Sequence, residues 1–336
     1  MRDGARTDAA AFVRGFGPVA EAALLRLYPE PREHGDGMLV LGEFGWLAPR
    51  VILLDPATGR VYSHLGDSEL LAGGLDTFGR LLGEVRALRA HAGGPWDPER
   101  AARAALGRVR EYEPGVLTSD PDVCAFWRAA LLVWPLLHAP GPGRGGLRLG
   151  LTHERLATDL GPERVVRIPS GNIPDVLDSH APSRRFLRDV GLVDAPPVRP
   201  DPDRPLSVAA LDAFDPHGYR DPPNAARLVR LGGVDVVGSR VDLLLDADDG
   251  RVHGWYRDDE PELFPIAADL STLAFAQWLI ARVRAYDREF AITHDYDGLA
   301  AILTAVLGTV DPIAVRGPAA YWPNVFDDEA GGLLYG

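Results

Sequence analysis

Two stretches of the chain repeat one pattern of apolar and polar positions. From Arg240 to His253 (Arg-Val-Asp-Leu-Leu-Leu-Asp-Ala-Asp-Asp-Gly-Arg-Val-His) an apolar run ends in Asp246, a turn follows at Asp248-Asp249-Gly250, and a second apolar run begins. From Arg50 to Tyr62 the same order recurs, with the run ending in Asp55 and returning through Gly59-Arg60-Val61, as Gly250-Arg251-Val252 does. Apolar runs joined by an Asp/Gly turn predict a β-hairpin in each place. The glycine supplies the positive φ that such a turn requires without steric cost.

Around these hairpins the spacing changes to that of helices. Leu75, Phe78, Leu81, Leu82, Val85 and Leu88 fall on one face of a helix, and so do Leu299, Ile302, Leu303, Val306 and Leu307. A further helix is expected from Leu270 to Tyr286, and one or two short ones across Phe12 to Tyr28, where Pro18 marks a helical start. Asp97-Pro98-Glu99 reads as an N-cap, a first-turn proline and a first-turn carboxylate. Thr152 is the expected cap of a helix ending at Gly161, and Pro182 to Val190 a helix stopped by Gly191. Met38 to Val61 carries strand-like runs broken at Gly42, Gly45 and Pro49, and Val165 to Ile168 is a short strand closed by Pro169. Strands at 206–211, 226–231, 240–245 and 251–256 form an antiparallel sheet, after a Pro- and Asp-rich loop at 194–205.

The order of elements in the first half returns in the second. Leu71-Ala72-Gly73-Gly74-Leu75-Asp76-Thr77 matches Ile266-Ala267-Ala268-Asp269-Leu270-Ser271-Thr272, and Glu84 to Leu88 matches Arg282 to Tyr286. Asp97 and Asp297 each precede a helix, and Pro114 with Phe126-Trp127 matches Pro312 with Tyr321-Trp322. This is an internal duplication rather than a solenoid period. The expected domains are 1–138 and 148–336, joined by a Pro/Gly linker over 139–147.

Composition narrows the function classes. The 336 residues carry 46% hydrophobic and 25% charged side chains, ordinary for a soluble globular protein. A net charge of −13 argues against a nucleic-acid-binding surface as the main feature and is compatible with a basic protein partner, although many cytosolic enzymes are equally acidic. All 35 basic residues are arginine, which reads as the codon bias of a GC-rich genome. One cysteine, Cys124, leaves no internal disulfide and no cysteine zinc site. No apolar N-terminal run resembles a signal peptide and none is long enough to span a bilayer, so the expected location is cytoplasmic, away from membranes.

Each candidate for chemistry has a stronger structural reading. His153-Glu154 lacks the second histidine of a zinc motif, since Ala157 stands there. Asp246, Asp248 and Asp249 lack the later acids and terminal glutamate of a calcium loop. His294, Asp295 and Asp297, with Glu289 nearby, could ligate a metal, but a helix cap is the better fit. Cys124 sits among apolar residues beside Phe126 and Trp127 and reads as a buried thiol. Gly141 to Gly146 lacks the Gly-Lys-Ser/Thr of a phosphate loop, and Ser170-Gly171 lacks the context of a nucleophile elbow. No catalytic residue, metal or cofactor is expected.

The second half resembles the SUKH superfamily of bacterial immunity proteins, in particular its fourth subgroup. The residues that carry the resemblance are Leu151-Thr152-His153-Glu154-Arg155-Leu156, Gly161 with Val165-Val166-Arg167-Ile168-Pro169, Ile173-Pro174, and Arg184-Arg185-Phe186-Leu187-Arg188-Asp189-Val190-Gly191-Leu192. The hairpin, the long helix and the segment from Asp311-Pro312 to Trp322 complete it, over roughly 150 to 336. Val193 stands where a proline usually follows Gly-Leu, Ala268-Asp269 replaces a more polar helix start, and the first half lacks the Arg-Arg-Phe-Leu block. The resemblance implies an α+β fold, helices on one face of a mostly antiparallel sheet, present here twice. It also implies a non-catalytic role, binding and neutralising a cognate toxin of a polymorphic toxin system.

One surface run stands out in that half. Trp255-Tyr256-Arg257-Asp258-Asp259-Glu260-Pro261-Glu262 sets two aromatics beside four carboxylates. Such a run is most often a solvated turn, but aromatic anchors with a charged rim are what tight interfaces use, so on the alternative reading Trp255, Tyr256, Asp258, Asp259, Glu260 and Glu262 are the expected partner-binding residues. A basic nuclease or nucleotide-modifying toxin is the partner that an acidic patch suits. Two other classes remain open on the sequence: a regulatory or scaffold protein of the same fold, and an acidic metal-dependent hydrolase.

Overall fold

The structure, a computed structural model, describes residues 2–44, 50–65, 67–90, 96–118, 120, 122–201, 222–236, 239–256, 262–317, 320–327 and 332–335. The strand expected at 206–211 lies outside these residues. The chain divides into two compact units. One holds Met1–Ala139 with Ala285–Val306 and Tyr335–Gly336; the other holds Pro140–Arg284 and Leu307–Leu334. The first segment of the first unit ends at Ala139, and residues 285–306 belong to that unit as well. Residues 139–150 are folded back on themselves: Gly143 N–H donates to the Arg148 carbonyl and Gly150 N–H to that of Gly141.

In the first unit α1 (Arg2–Ala22) precedes a sheet of β1 (Leu25–Glu33), β2 (Leu39–Phe44), β3 (Arg50–Leu54), β4 (Val61–Leu65) and β5 (Asp67–Ala72). The strands lie side by side in chain order, each antiparallel to the next. Helical spacing across Phe12 to Tyr28 holds only to Ala22. Leu24 takes a left-handed φ of 65°, and buried Leu25 then alternates with exposed Arg26. Pro29 and Pro31 suit the edge place of β1, because neither has an N–H to leave unpaired. After the sheet come α2 (Leu75–Arg89), α3 (Pro98–Tyr112) and α4 (Phe126–Val133). Asp97 caps α3 as expected, accepting from the N–H groups of Glu99 and Arg100. A chain of rings closes the core: Phe12 stacks on Phe78 at 5.5 Å, Phe78 meets Trp127 edge-on at 5.9 Å, and Phe126 lies 5.1 Å from Phe44.

The second unit opens with α5 (His153–Leu160), capped by Thr152, then β6 (Val165–Val166), α6 (Ala181–Asp189) and β7 (Leu192–Val193), which pairs with β6. Its larger sheet runs β12 (Glu262–Ala267), β11 (Val252–Tyr256), β10 (Ser239–Asp246), β9 (Leu228–Val236), β8 (Val198–Pro200), again antiparallel throughout. After α7 (Leu270–Phe290) come α8 (Tyr296–Val310), most of which belongs to the first unit, and α9 (Tyr321–Asp327). Side-chain hydrogen bonds fix α7 to the opening elements. Gln277 donates to the carbonyls of Val193 and Ala195, and the Trp278 indole to Asp159 at 2.6 Å. The fold class is α+β with antiparallel sheets.

The two five-stranded sheets share register as well as order. Ile52 faces Ser63 and Leu54 faces Val61; Leu243 faces Gly254 and Leu245 faces Val252. Each sheet slips register once between its second and third strands and once between its fourth and fifth, at matching places. On that alignment Gly42 matches Gly232. A Cβ at Gly42 would lie 2.1 Å from the Arg26 carbonyl oxygen, and one at Gly232 would lie 2.2 Å from that of Arg199. Both turns close alike, with Asp55 bonded to Arg60 and Asp246 to Arg251 through the backbone. Both turn glycines take positive φ, 76° and 75°.

Candidate partner-binding surface

Three of the residues singled out in the sequence, Trp255, Tyr256 and Glu262, lie at one end of the β11–β12 hairpin. Trp255 faces Leu263 across the pair and Tyr256 faces Glu262. Successive strand residues point to opposite sides of a sheet, so Trp255 shares its side with Asp242 and Leu244 of β10. That is the side away from the core residues Val241, Leu243 and Leu245.

Trp255 packs inward. It is 3% exposed and forms a small cluster with Leu228 and Leu244, with Ala225 and Leu263 packed against it. The ring therefore offers almost no surface in the free protein and braces the strand beneath the hairpin end. Tyr256 is half-buried and Glu262 exposed. Asp258, Asp259 and Glu260 lie outside the described residues.

The polar groups beside this cluster are tied into ion pairs. Arg230 Nε lies 2.6 Å from Asp242 Oδ1, and Arg230 Nη1 is 3.4 Å from Asp201 Oδ2. Burial pulls the Arg230 guanidinium down, but the bonds to Asp242 and Asp201 outweigh it and raise its pKa. At the turn, Arg227 reaches both Asp246 (3.0 Å) and Asp248 (3.2 Å). Asp246 Oδ1 also accepts from the Asp248 N–H. These carboxylates are occupied in holding the turn. His253 stands half-buried on the same side of the sheet, and burial holds its pKa below the usual imidazole value despite Asp246 and Asp249.

In the first sheet the matching positions differ in chemistry. His64 stands where Trp255 does and Leu65, 50% exposed, where Tyr256 does. Residues 65 and 67 are paired across a single residue, Gly66, whereas 256 and 262 are paired across five. Those five are Arg257, Asp258, Asp259, Glu260 and Pro261. The longer connecting sequence thus contains three carboxylates, where the other hairpin has only a glycine.

The remaining candidates resolve into structure. Asp295 caps α8, accepting from the Gly298 N–H, so the cap is Asp295 and not Asp297. Asp295 is buried and also meets Arg50 Nη2 at 3.1 Å, while the Cys124 thiol lies 3.6 Å from its Oδ2. Burial pushes the Cys124 thiol well up, with Asp295 adding to it, which keeps the sulfur protonated and unreactive. The sequence flagged Asp295 and Cys124 separately; their meeting with Arg50 carried no sequence signal, because 171 residues separate them. His153 Nδ1 lies 2.8 Å from the Val190 carbonyl, and Glu154 meets Arg167. Among the described residues no group of three or more His, Cys, Asp or Glu is placed to hold a metal, and no helix is long and apolar enough to cross a membrane.

A family model described as SUKH-4 immunity protein matches residues 151–328. Searches of curated proteins and of solved structures gave no match.

Proposed function

The chain belongs to the SUKH-4 immunity protein family, and we propose from that premise that it neutralises a cognate protein toxin by binding it, without catalysing a reaction. We place the contact at the acidic end of the β11–β12 hairpin, with Tyr256, Asp258, Asp259, Glu260 and Glu262 meeting the partner and Trp255 supporting them from below.

The observation that carries this placement is the five-residue extension between Tyr256 and Glu262, set against the single Gly66 of the other hairpin. Charge partition supports it. Residues 1–150 hold 17 arginines against 18 acidic residues, while residues 151–336 hold 18 against 30. Nearly all the net negative charge lies in the half that matches the family. An acidic surface suits a toxin with a basic cleft, as enzymes acting on nucleic acids or nucleotides have.

We infer further that the first unit is a diverged copy of the second. Strand order, register, register slips, turn and glycine positions all support that reading.

The test uses two variants of the full chain: one with Asp258→Asn, Asp259→Asn, Glu260→Gln and Glu262→Gln, the other with Tyr256→Ala. Each is expected to stay folded and to protect cells poorly against the toxin encoded beside it. Wild-type protection by both would return the hairpin to a solvated turn.

A further inference from the structure

The family match ends at residue 328, yet part of the matched segment is built into the other unit. Residues 285–306, the last turn and a half of α7 with most of α8, fold within the first compact unit. The polar centre that holds them there is buried. Arg50 Nη2 meets Asp295 Oδ1 at 3.1 Å and Arg50 Nη1 meets Glu69 Oε2 at 3.0 Å, with side-chain exposures of 13%, 1% and 29% for Arg50, Asp295 and Glu69. Cys124 Sγ closes the cluster beside Asp295.

Register shows what is unusual about Arg50. It faces Phe44, as Val241 faces Val234, so the two residues hold the same place in their sheets. Val241 is an ordinary core residue, 4% exposed. An arginine at a core position of the first sheet needs a buried anion, because an unpaired charge there costs several kcal/mol. The anion comes from Asp295, more than 240 positions along the chain. Asp295 has a counterpart too: Asp97 caps α3 as Asp295 caps α8, but Asp97 is exposed. Both members of the pair are therefore the odd ones of their kind.

We propose that the first unit serves as a folding partner for the SUKH-4 segment, receiving residues 285–306 through the Arg50–Asp295 pair. The pair acts as a register lock: removing Arg50 leaves the Asp295 carboxylate buried without its counterpart, and removing Asp295 leaves Arg50 only the more exposed Glu69. This inference concerns folding and stands whether or not the toxin contact lies at the β11–β12 hairpin.

Hydrogen exchange on the full chain tests it. Arg50→Met is expected to speed amide exchange in 285–306 by about tenfold or more, while 270–284 and β9 to β11 keep their protection. Asp295→Asn keeps the cap and removes the charge, and Arg50→Met with Asp295→Asn together should restore much of the protection lost in Arg50→Met. If Arg50→Met does not accumulate, folded double variant supports the proposal and an unfolded one overturns it. Unchanged exchange in 285–306 for Arg50→Met overturns it, as does loss that appears equally in 270–284. Toxin protection is scored separately, so a failed contact at the hairpin would leave this result untouched.

Discussion

The indole N–H of Trp322 donates to the carbonyl of Ile266 at 2.9 Å, fifty-six residues earlier in the chain, and Trp127 donates to Leu71 at 2.7 Å across the same separation. Each acceptor lies next to the last residue of the fifth strand of its sheet, and each donor in the short helix that closes the order of elements. The preceding aromatic is placed alike in both. Phe126 and Trp127, and Tyr321 and Trp322, have centroids 5.1 Å apart with planes at 72°.

Both tryptophans are fully buried, so each bond satisfies a carbonyl that water does not reach. Trp322→Phe keeps much of the apolar bulk and removes the donor. We expect a loss of about 1–3 kcal/mol from urea unfolding, and a similar loss for Trp127→Phe. Unfolding midpoints indistinguishable from wild type would show that these bonds do not fasten the closing helices.

Gly42 and Gly232 carry the second expectation. A methyl group at either position would sit 2.1 to 2.2 Å from a backbone carbonyl oxygen of the neighbouring edge strand, a distance that only backbone movement can relieve. Gly42→Ala and Gly232→Ala should each destabilise by about 2 kcal/mol or more, and Gly232→Ala the more, because its φ of +147° also disfavours a side chain. Gly83→Ala is the control, since nothing lies within 4 Å of a Cβ there. It is expected to leave stability unchanged or raise it slightly.

How far the sequence reached follows from the range of the interactions involved. The hairpin turns, the Asp97 and Thr152 caps and the Gly191 stop rest on residues a few places apart, and the structure has them where spacing put them. The boundary at Leu24 was missed because Leu24, Leu27 and Tyr28 satisfy helical spacing while Leu25 and Arg26 satisfy strand spacing, and a short window does not separate the two. Trp255 read as an anchor beside its acidic neighbours, but strand parity points it at Leu244 and Leu228, and those partners come from other strands. The Arg50–Asp295 pair was beyond reach altogether. Nothing local marks Arg50 as buried, and the pattern of β3 reads equally well with Arg50 in solvent.

His253 gives a pH dependence with a defined sign. Burial holds its folded pKa below the unfolded value near 6.5. A group with a depressed folded pKa contributes stability that is complete above the unfolded pKa and is lost as pH falls through the folded one. As pH falls through the unfolded value, the unfolded chain takes up a proton at this position that the folded chain resists. Stability of the wild type should therefore drop there more than that of His253→Gln, with the two curves parallel above pH 7. Parallel curves across the whole range would show that the imidazole titrates alike in both states.

Association with the toxin offers the last test, because an electrostatic contact leaves a kinetic trace. Opposite charges facing one another raise the rate of encounter, and salt screens that attraction over about 8–10 Å at ordinary ionic strength. For the full chain we expect the association rate to fall as sodium chloride rises, with a smaller change in the dissociation rate. Neutralising Asp258, Asp259, Glu260 and Glu262 should lower the rate at low salt and flatten its dependence on salt. Net charge alone would do some of this, so the comparison needs a second variant with the same change in charge. Glu30, Asp36, Asp76 and Glu111 are exposed residues of the first unit, and Glu30→Gln, Asp36→Asn, Asp76→Asn and Glu111→Gln together remove four charges there. If the contact lies on the hairpin, the second variant keeps a rate and salt slope close to wild type. Equal slopes for the two variants would mean that the toxin senses the charge of the whole protein, and the hairpin would lose its claim to the interface.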